Sequence, residues 1–203
     1  MKNKKDLFRK LAFASADLFG GGSFNIINFL YPGFLALTVG IPAYWCGVII
    51  LVARIFDALI DPIIGWFSDR TSSKFGKRRF YLIVCSPLIV GGMFLLFYPF
   101  NFPNMALRII AVLLSHLVFI AVQSTIMIPY YSLSSEISTD YQRRASFNSY
   151  RLAFSIFSSI LCVAVPGIIV GAFGDARIGY QVMSISFGVM FGLSVLFSGL
   201  FAK

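Results

Sequence analysis

Six apolar runs, each long enough to cross a bilayer, account for most of the chain: about 11–39, 44–67, 80–100, 105–133, 147–173 and 179–202. A spanning helix needs about 20 apolar residues, and in hydrocarbon every backbone amide must be satisfied inside the protein. The connections between runs are short. Residues 1–203 are therefore expected to form one all-α membrane domain, a six-helix bundle. Composition supports this, with 58% hydrophobic and 12% charged residues against about 45–50% and 25% in soluble domains.

The charges that remain are unevenly placed. Lys2, Lys4, Lys5, Arg9 and Lys10 precede the first run; Arg70, Lys74, Lys77, Arg78 and Arg79 lie between the second and third; Arg143 and Arg144 lie between the fourth and fifth. The alternate connections carry little beyond Arg108 and Arg177. The positive-inside rule then places both termini in the cytosol, with the lipid bilayer of the cell membrane as the chain's surroundings. The formal charge of +9 is read as this topology signal; no nucleic-acid motif accompanies it. The basic start and the AFASA pattern mimic a signal peptide, but the apolar part before that pattern is too short for cleavage there. Cys46, Cys85 and Cys162 have no metal-like spacing and read as packing residues.

Function is written in the second run. A charge at the centre of a bilayer helix costs roughly 2.5 to 3.5 kcal/mol on insertion scales, so such residues face a cavity or a partner. Here three occur in eight residues: Arg54, Asp57 and Asp61. At 100° per residue they share a stripe with Gly47, Gly65 and Ser68, opposite a lipid-facing stripe of Ile49, Val52, Phe56, Leu59, Ile63 and Trp66. Pro62 cannot donate to the carbonyl of Ala58, which leaves an oxygen for a ligand or a water. The aspartates, four apart, repel each other unless a cation lies between them. The bland alternative is an ion-pair knot of Arg54 with both aspartates.

Polar groups in three other runs complete the pattern. In the first, Asp17, Gly21, Phe24, Asn28 and Tyr31 share one face, with Gly20 at its edge. The fourth offers His116, Gln123 and Met127 on one face with Ser124 beside them, and Tyr130 and Tyr131 near its cytosolic end. His116 has no companion ligands and reads as an interior histidine. The fifth opens with Arg151. At about 1.5 Å rise per residue, Asp57 comes to about 16 Å depth, Ser124 to about 13 Å, Asp17 and Asp61 to about 10 Å, and Arg151 to about 6 Å. Four helices can thus converge their polar groups. Asp17, Asp57 and Asp61 against Arg54 and Arg151 leave one negative charge, as a site for one monovalent cation requires. Oxygen ligands suit a hard cation, so sodium fits at Asp57 and Asp61.

The stretches FDALIDPIIGWFSDRTSSKFGKRRFYL, MIPYYSL and SSEISTDYQRRASFNSYRLAF resemble the N-terminal half of a glycoside-pentoside-hexuronide:cation symporter, the melibiose-carrier-like branch of the major facilitator superfamily. Gly65, Asp69 and Arg70 followed by Gly76, Lys77, Arg78 and Arg79 match the superfamily's gating-loop signature, with a few residues inserted. The resemblance implies that Asp57, Asp61 and the Ser124 hydroxyl bind the coupling cation. It implies that Asp17 and Arg151 hold sugar and that Tyr131 stacks on its ring; Asn28, on the Asp17 face, joins them as a candidate substrate ligand. Met127 stands where melibiose carriers have a sugar-binding aspartate, and Ile60 where they have an amide. The family has about twelve helices in two halves with substrate between them, so the implied partner is a C-terminal six-helix half or a second copy of this chain.

The expected function is symport of a sugar or glycoside with a sodium ion or proton by alternating access, this chain being the cation-binding half, with no cofactor beyond the coupling cation. The alternatives are a non-transporting fragment or assembly partner and a carrier of lipid-like cargo. An enzyme is not expected. Gly65 to Asp69 mimics one step of the CDP-alcohol phosphotransferase motif, but Leu51, Val52 and Ser73 sit near the places of its other key residues. Gly171, Gly174 and Asp175 are misspaced for an intramembrane aspartyl protease.

Overall fold

The computed structural model describes residues 2–74, 76–137 and 140–201, of which 2, 3 and 135–137 are described by backbone alone. The side chain of Lys2 and the end of the last apolar run at 202 therefore lie outside the described residues.

The first run is one long rod built of segments: α1 (Lys2–Ser15), α2 (Asp17–Asn25), a π-helical stretch (Ile26–Leu30), α3 (Tyr31–Gly33) and a second π-helical stretch (Phe34–Val39). Pro32 has no N–H to give and disturbs the hydrogen-bond ladder next to the first π turn. The rod ends at Gly40, whose φ of 76° is the left-handed conformation a helix stop favours. Then follow α4 (Ala43–Arg70), α5 (Arg79–Leu96), α6 (Met105–Ile137), α7 (Tyr141–Gly171) and α8 (Ala176–Phe201). Three starts have side-chain caps: Asn104 Oδ1 accepts from Ala106 N at 2.9 Å, Asp140 Oδ1 from Gln142 N at 3.1 Å and Asp175 Oδ1 from Arg177 N at 2.8 Å.

These caps lie outside the apolar runs, and α7 and α8 begin before their runs do. The basic residues Lys4 to Lys10 stand in α1 itself, and Arg143 and Arg144 stand in the first turns of α7, where the sequence suggested connections. Among the described residues five segments are long and apolar enough to cross a membrane: Lys4–Val39, Arg79–Leu96, Met105–Ser134, Tyr141–Gly171 and Ala176–Phe201. The 28-residue α4, which carries Arg54, Asp57 and Asp61, is long enough as well.

Helix α5 packs on α6 and α8, α2 and α1 pack on α7, and α1 also meets α8. The core is aromatic: Phe13, Phe19, Tyr31, Phe34, Phe97, Phe119 and Phe191 are fully buried. Helix α4 leans chiefly on α6 and buries only Cys46, Ile49, Ala53 and Ser68. Ile49, placed by periodicity on the lipid stripe, is thus on the packed face. Val52, Leu59, Ile63 and Trp66 of that stripe are exposed.

The run Gly20-Gly21-Gly22 brings α2 against its neighbours. A Cβ on Gly22 would meet Ser158 Oγ and lie 2.7 Å from Phe191 Cζ. Beside it Ser158 Oγ donates to Leu18 O at 2.6 Å, a bond that ties α7 to α2. Gly22→Val should therefore cost about 1–3 kcal/mol through overpacking. A lower thermal midpoint for Gly22→Val than for the exposed Gly91→Val, measured in detergent, checks this.

Candidate cation and substrate site

Helix α4 presents Asp57 to α6, where Ser124 Oγ donates to Asp57 Oδ1 at 3.3 Å. Ser124 is 3% exposed. One turn further, Asp61 keeps a buried Oδ1 with no hydrogen-bond partner. A buried carboxylate oxygen left without a donor is costly and marks a place for a ligand. Asp57, Asp61 and Ser124 therefore supply oxygen donors from two facing helices. Among the described residues no three His, Cys, Asp or Glu gather; two carboxylates and a hydroxyl are the donor set here, one suited to a hard monovalent ion.

Arg54 corrects one reading. Its Nη2 donates to Asn28 Oδ1 at 2.9 Å, its guanidinium lies 5.3 Å from the Phe24 ring centre, and no ion pair joins it to either aspartate among the described residues. The ion-pair knot is absent. Asn28 is instead anchored on both sides, its Nδ2 donating to Phe24 O at 2.7 Å.

The second cluster lies on the other side of Phe24. Arg151 Nε stands 4.0 Å from Asp17 Oδ2, and the guanidinium lies 5.1 Å from the Tyr131 ring centre. The pair is loose: Arg151 Nε is buried and makes no hydrogen bond. Gly20 is where the wall closes, since a Cβ there would come within 2.6 Å of Asp17 Oδ1 and 2.5 Å of Met127 Cε. Asp17, Gly20, Tyr131 and Arg151 line a cavity of about 660 Å³ together with Ser155 and Asn25. That size lies within the range of small-molecule sites, about 300–1,000 Å³.

Depth along the helices alone puts all these groups within reach of one site. In the structure Asp57 lines a separate chamber of about 160 Å³ with Arg54 and His116. Phe24 and Gln123 line both chambers, forming the wall between them. Gln123 is held by donating to Ser23 Oγ at 3.1 Å. Tyr31, expected on the Asp17 and Asn28 face, is fully buried against Phe97 and His116. The π turn between Asn28 and Tyr31 breaks the 100° count that put them together. Ser155 and Ser159, one and two turns past Arg151, were not singled out from sequence. Their spacing of four from Arg151 was the available signal, and Asn25 Nδ2 donates to Ser159 Oγ at 2.9 Å.

The basic connection is ordered by its own charges. Arg78 Nη2 donates to Asp69 Oδ1 at 3.0 Å, and Arg78 Nη1 donates to the carbonyl of Ser132 at the end of α6. Arg79 reaches α8, donating to Gly199 O at 2.9 and 2.6 Å and to Leu200 O at 2.7 Å. Arg70 lies over Trp66 with 3.8 Å to the ring centre, Gly76 has φ 97°, and Lys77 is exposed.

Residues 12–203 match the family described as MFS/sugar transport protein. The chain belongs to that family. It is a multi-pass membrane protein of the major facilitator superfamily, a superfamily of transporters and not of enzymes. Among similar proteins is the "Uncharacterized symporter sll1374" of Synechocystis, 34% identical over 87% of this chain and 35% of the relative. The "Sodium-dependent lysophosphatidylcholine symporter 1" of Xenopus tropicalis is 25% identical over 84% of this chain and 32% of the relative. The "Putative glycoside/cation symporter YagG" of Escherichia coli is 26% identical over 84% and 37%. The chain spans about a third of the length of these relatives.

Proposed function

We propose that this chain is the N-terminal, cation-binding part of a cation-coupled symporter of a sugar or glycoside, working by alternating access. Asp57, paired across helices with the Ser124 hydroxyl and one turn from the unpartnered Asp61 oxygen, is the observation that carries the reading. Sodium or a proton binds there. Cargo binds in the neighbouring cavity, where a hydroxyl fits between Asp17 and Arg151 and the Tyr131 ring offers an apolar face. The loose 4.0 Å pair supports this, because a polyol inserted there satisfies both partners. The cavity is completed by a C-terminal six-helix half or a second copy. Asp69 and Arg70 with Gly76, Lys77, Arg78 and Arg79 form a latch that this partner engages. The membrane is the cell membrane, with both termini in the cytosol.

Uptake of radiolabelled glycosides into vesicles, with the chain alone and with a co-expressed C-terminal half, under imposed sodium or proton gradients, tests this. Gradient-independent uptake in every arrangement refutes it. A second reading rests on relatives named as lysophosphatidylcholine symporters. Phe24 and Leu152 give the cavity apolar wall, and uptake of lysophosphatidylcholine in place of any glycoside would establish that cargo.

Asn28 contributes by holding Arg54 away from the aspartates. Asn28→Leu removes the acceptor and frees the guanidinium to pair with Asp57, a competitor for the cation. The expected result is an apparent cation affinity lowered about tenfold, the equivalent of one charge-assisted hydrogen bond, with cargo affinity at saturating cation nearly unchanged. Cation titration of uptake checks both.

A further inference from the structure

At the end of the bundle where the described residues begin and end, α1 and α8 form a groove unconnected with the two chambers. Its floor is aromatic. Phe8 packs edge-on against Phe197 at 5.9 Å and Phe201 at 5.8 Å, yet all three rings remain exposed, at 47%, 37% and 46%. Its rim is cationic. Lys4, Lys5 and Arg9 line it, and no acidic residue does among the described residues. The nearby carboxylate of Asp6 is turned to Lys10 at 3.1 Å and Arg143 at 2.9 Å, so it does not offset these three cations. The volume is about 550 Å³.

Beside the groove, the carbonyl oxygens of Gly199 and Leu200 in α8 accept from the Arg79 guanidinium. The groove is positive at its mouth and apolar at its floor.

We infer that this groove binds an anionic phospholipid, its phosphate held by Lys4, Lys5 and Arg9 and its acyl chain laid along Phe8, Phe197 and Phe201. Charge complementarity selects the occupant: anionic lipids populate the leaflet on the cytosolic side, to which the positive-inside rule assigns this end. Isolated lysines on a solvated face would need no exposed aromatic cluster beside them. The inference requires that the chain sits in a bilayer with this end at the cytosolic leaflet, and it stands whether or not the chain carries a sugar.

The test is native mass spectrometry of the chain purified from membranes with any partner it retains, titrated with phosphatidylglycerol or phosphatidylcholine. Phosphatidylglycerol should bind at least tenfold more tightly, because the three cations attract its anionic headgroup. Lys4→Gln with Lys5→Gln and Arg9→Gln should remove that preference, and the charge-matched control Arg70→Gln with Lys74→Gln and Lys77→Gln should keep it. Phe8→Ala should weaken phosphatidylglycerol several-fold without changing the charge. Equal binding of both lipids, equal loss in the control, or full displacement by inorganic phosphate at equal concentration overturns the inference. If the triple variant does not fold, the unaltered protein still decides through its lipid preference and its phosphate competition.

Discussion

Asp57→Asn is expected to abolish cation-stimulated uptake, and Asp61→Asn to do the same, while each leaves the bundle folded. Asn keeps the volume and a carbonyl oxygen but removes the charge. A hard cation that has lost most of its water needs that charge, because a neutral amide cannot repay the desolvation in a medium of low dielectric. The expected loss is at least a hundredfold in apparent cation affinity, about 2.7 kcal/mol at a tenfold per 1.4 kcal/mol. Ser124→Ala should be milder, about tenfold, since its hydroxyl donates to Asp57 at the long distance of 3.3 Å and contributes one neutral oxygen. Uptake in vesicles holding the chain with a C-terminal half, measured against sodium concentration and pH, separates these outcomes. Retained sodium or proton coupling in both aspartate variants would sink the cation assignment.

Arg151→Gln carries the second large effect, and it acts on stability as well as on cargo. Asp17 has a side chain only 6% exposed, and Arg151 is its ion-pair partner. Removing the guanidinium takes the cationic neighbour from a buried carboxylate, a loss smaller than the about 3–5 kcal/mol of a well-made buried pair because the 4.0 Å contact carries no hydrogen bond from Nε. The single variant should therefore unfold at a clearly lower temperature and fail to bind cargo. The double variant Asp17→Asn with Arg151→Gln removes both charges and should recover most of the stability while remaining unable to bind cargo. Thermal unfolding in detergent beside a cargo-binding measurement distinguishes the two contributions. Recovery of binding in the double variant would show that the pair only braces α2 against α7.

Much of the candidate site was legible because its signals are local. Asp57 and Asp61 stand on one turn of an ordinary α-helix, so a count of four residues places them together. Ser124 and Tyr131 could be placed by depth and resemblance, and they stand at the expected elements. The count failed in the first rod. Two π-helical stretches change the turn there, so Asn28 faces Arg54 while Tyr31 goes into the core. Pro32 announces a disturbance, but nothing in the sequence says how many residues the turn will absorb.

Helix membership, class and the charged residues that must avoid lipid followed from composition and order along the chain, because hydrocarbon punishes an unpaired charge or amide wherever it occurs. Which charges meet did not follow. Arg54 lies three residues from Asp57 in sequence and nonetheless bonds to Asn28 on another segment. Phe24 and Gln123, from different helices, part the polar groups into two chambers that depth alone had merged. Those choices depend on side-chain directions across helix contacts, and only the packing of α2, α4, α6 and α7 against one another decides them.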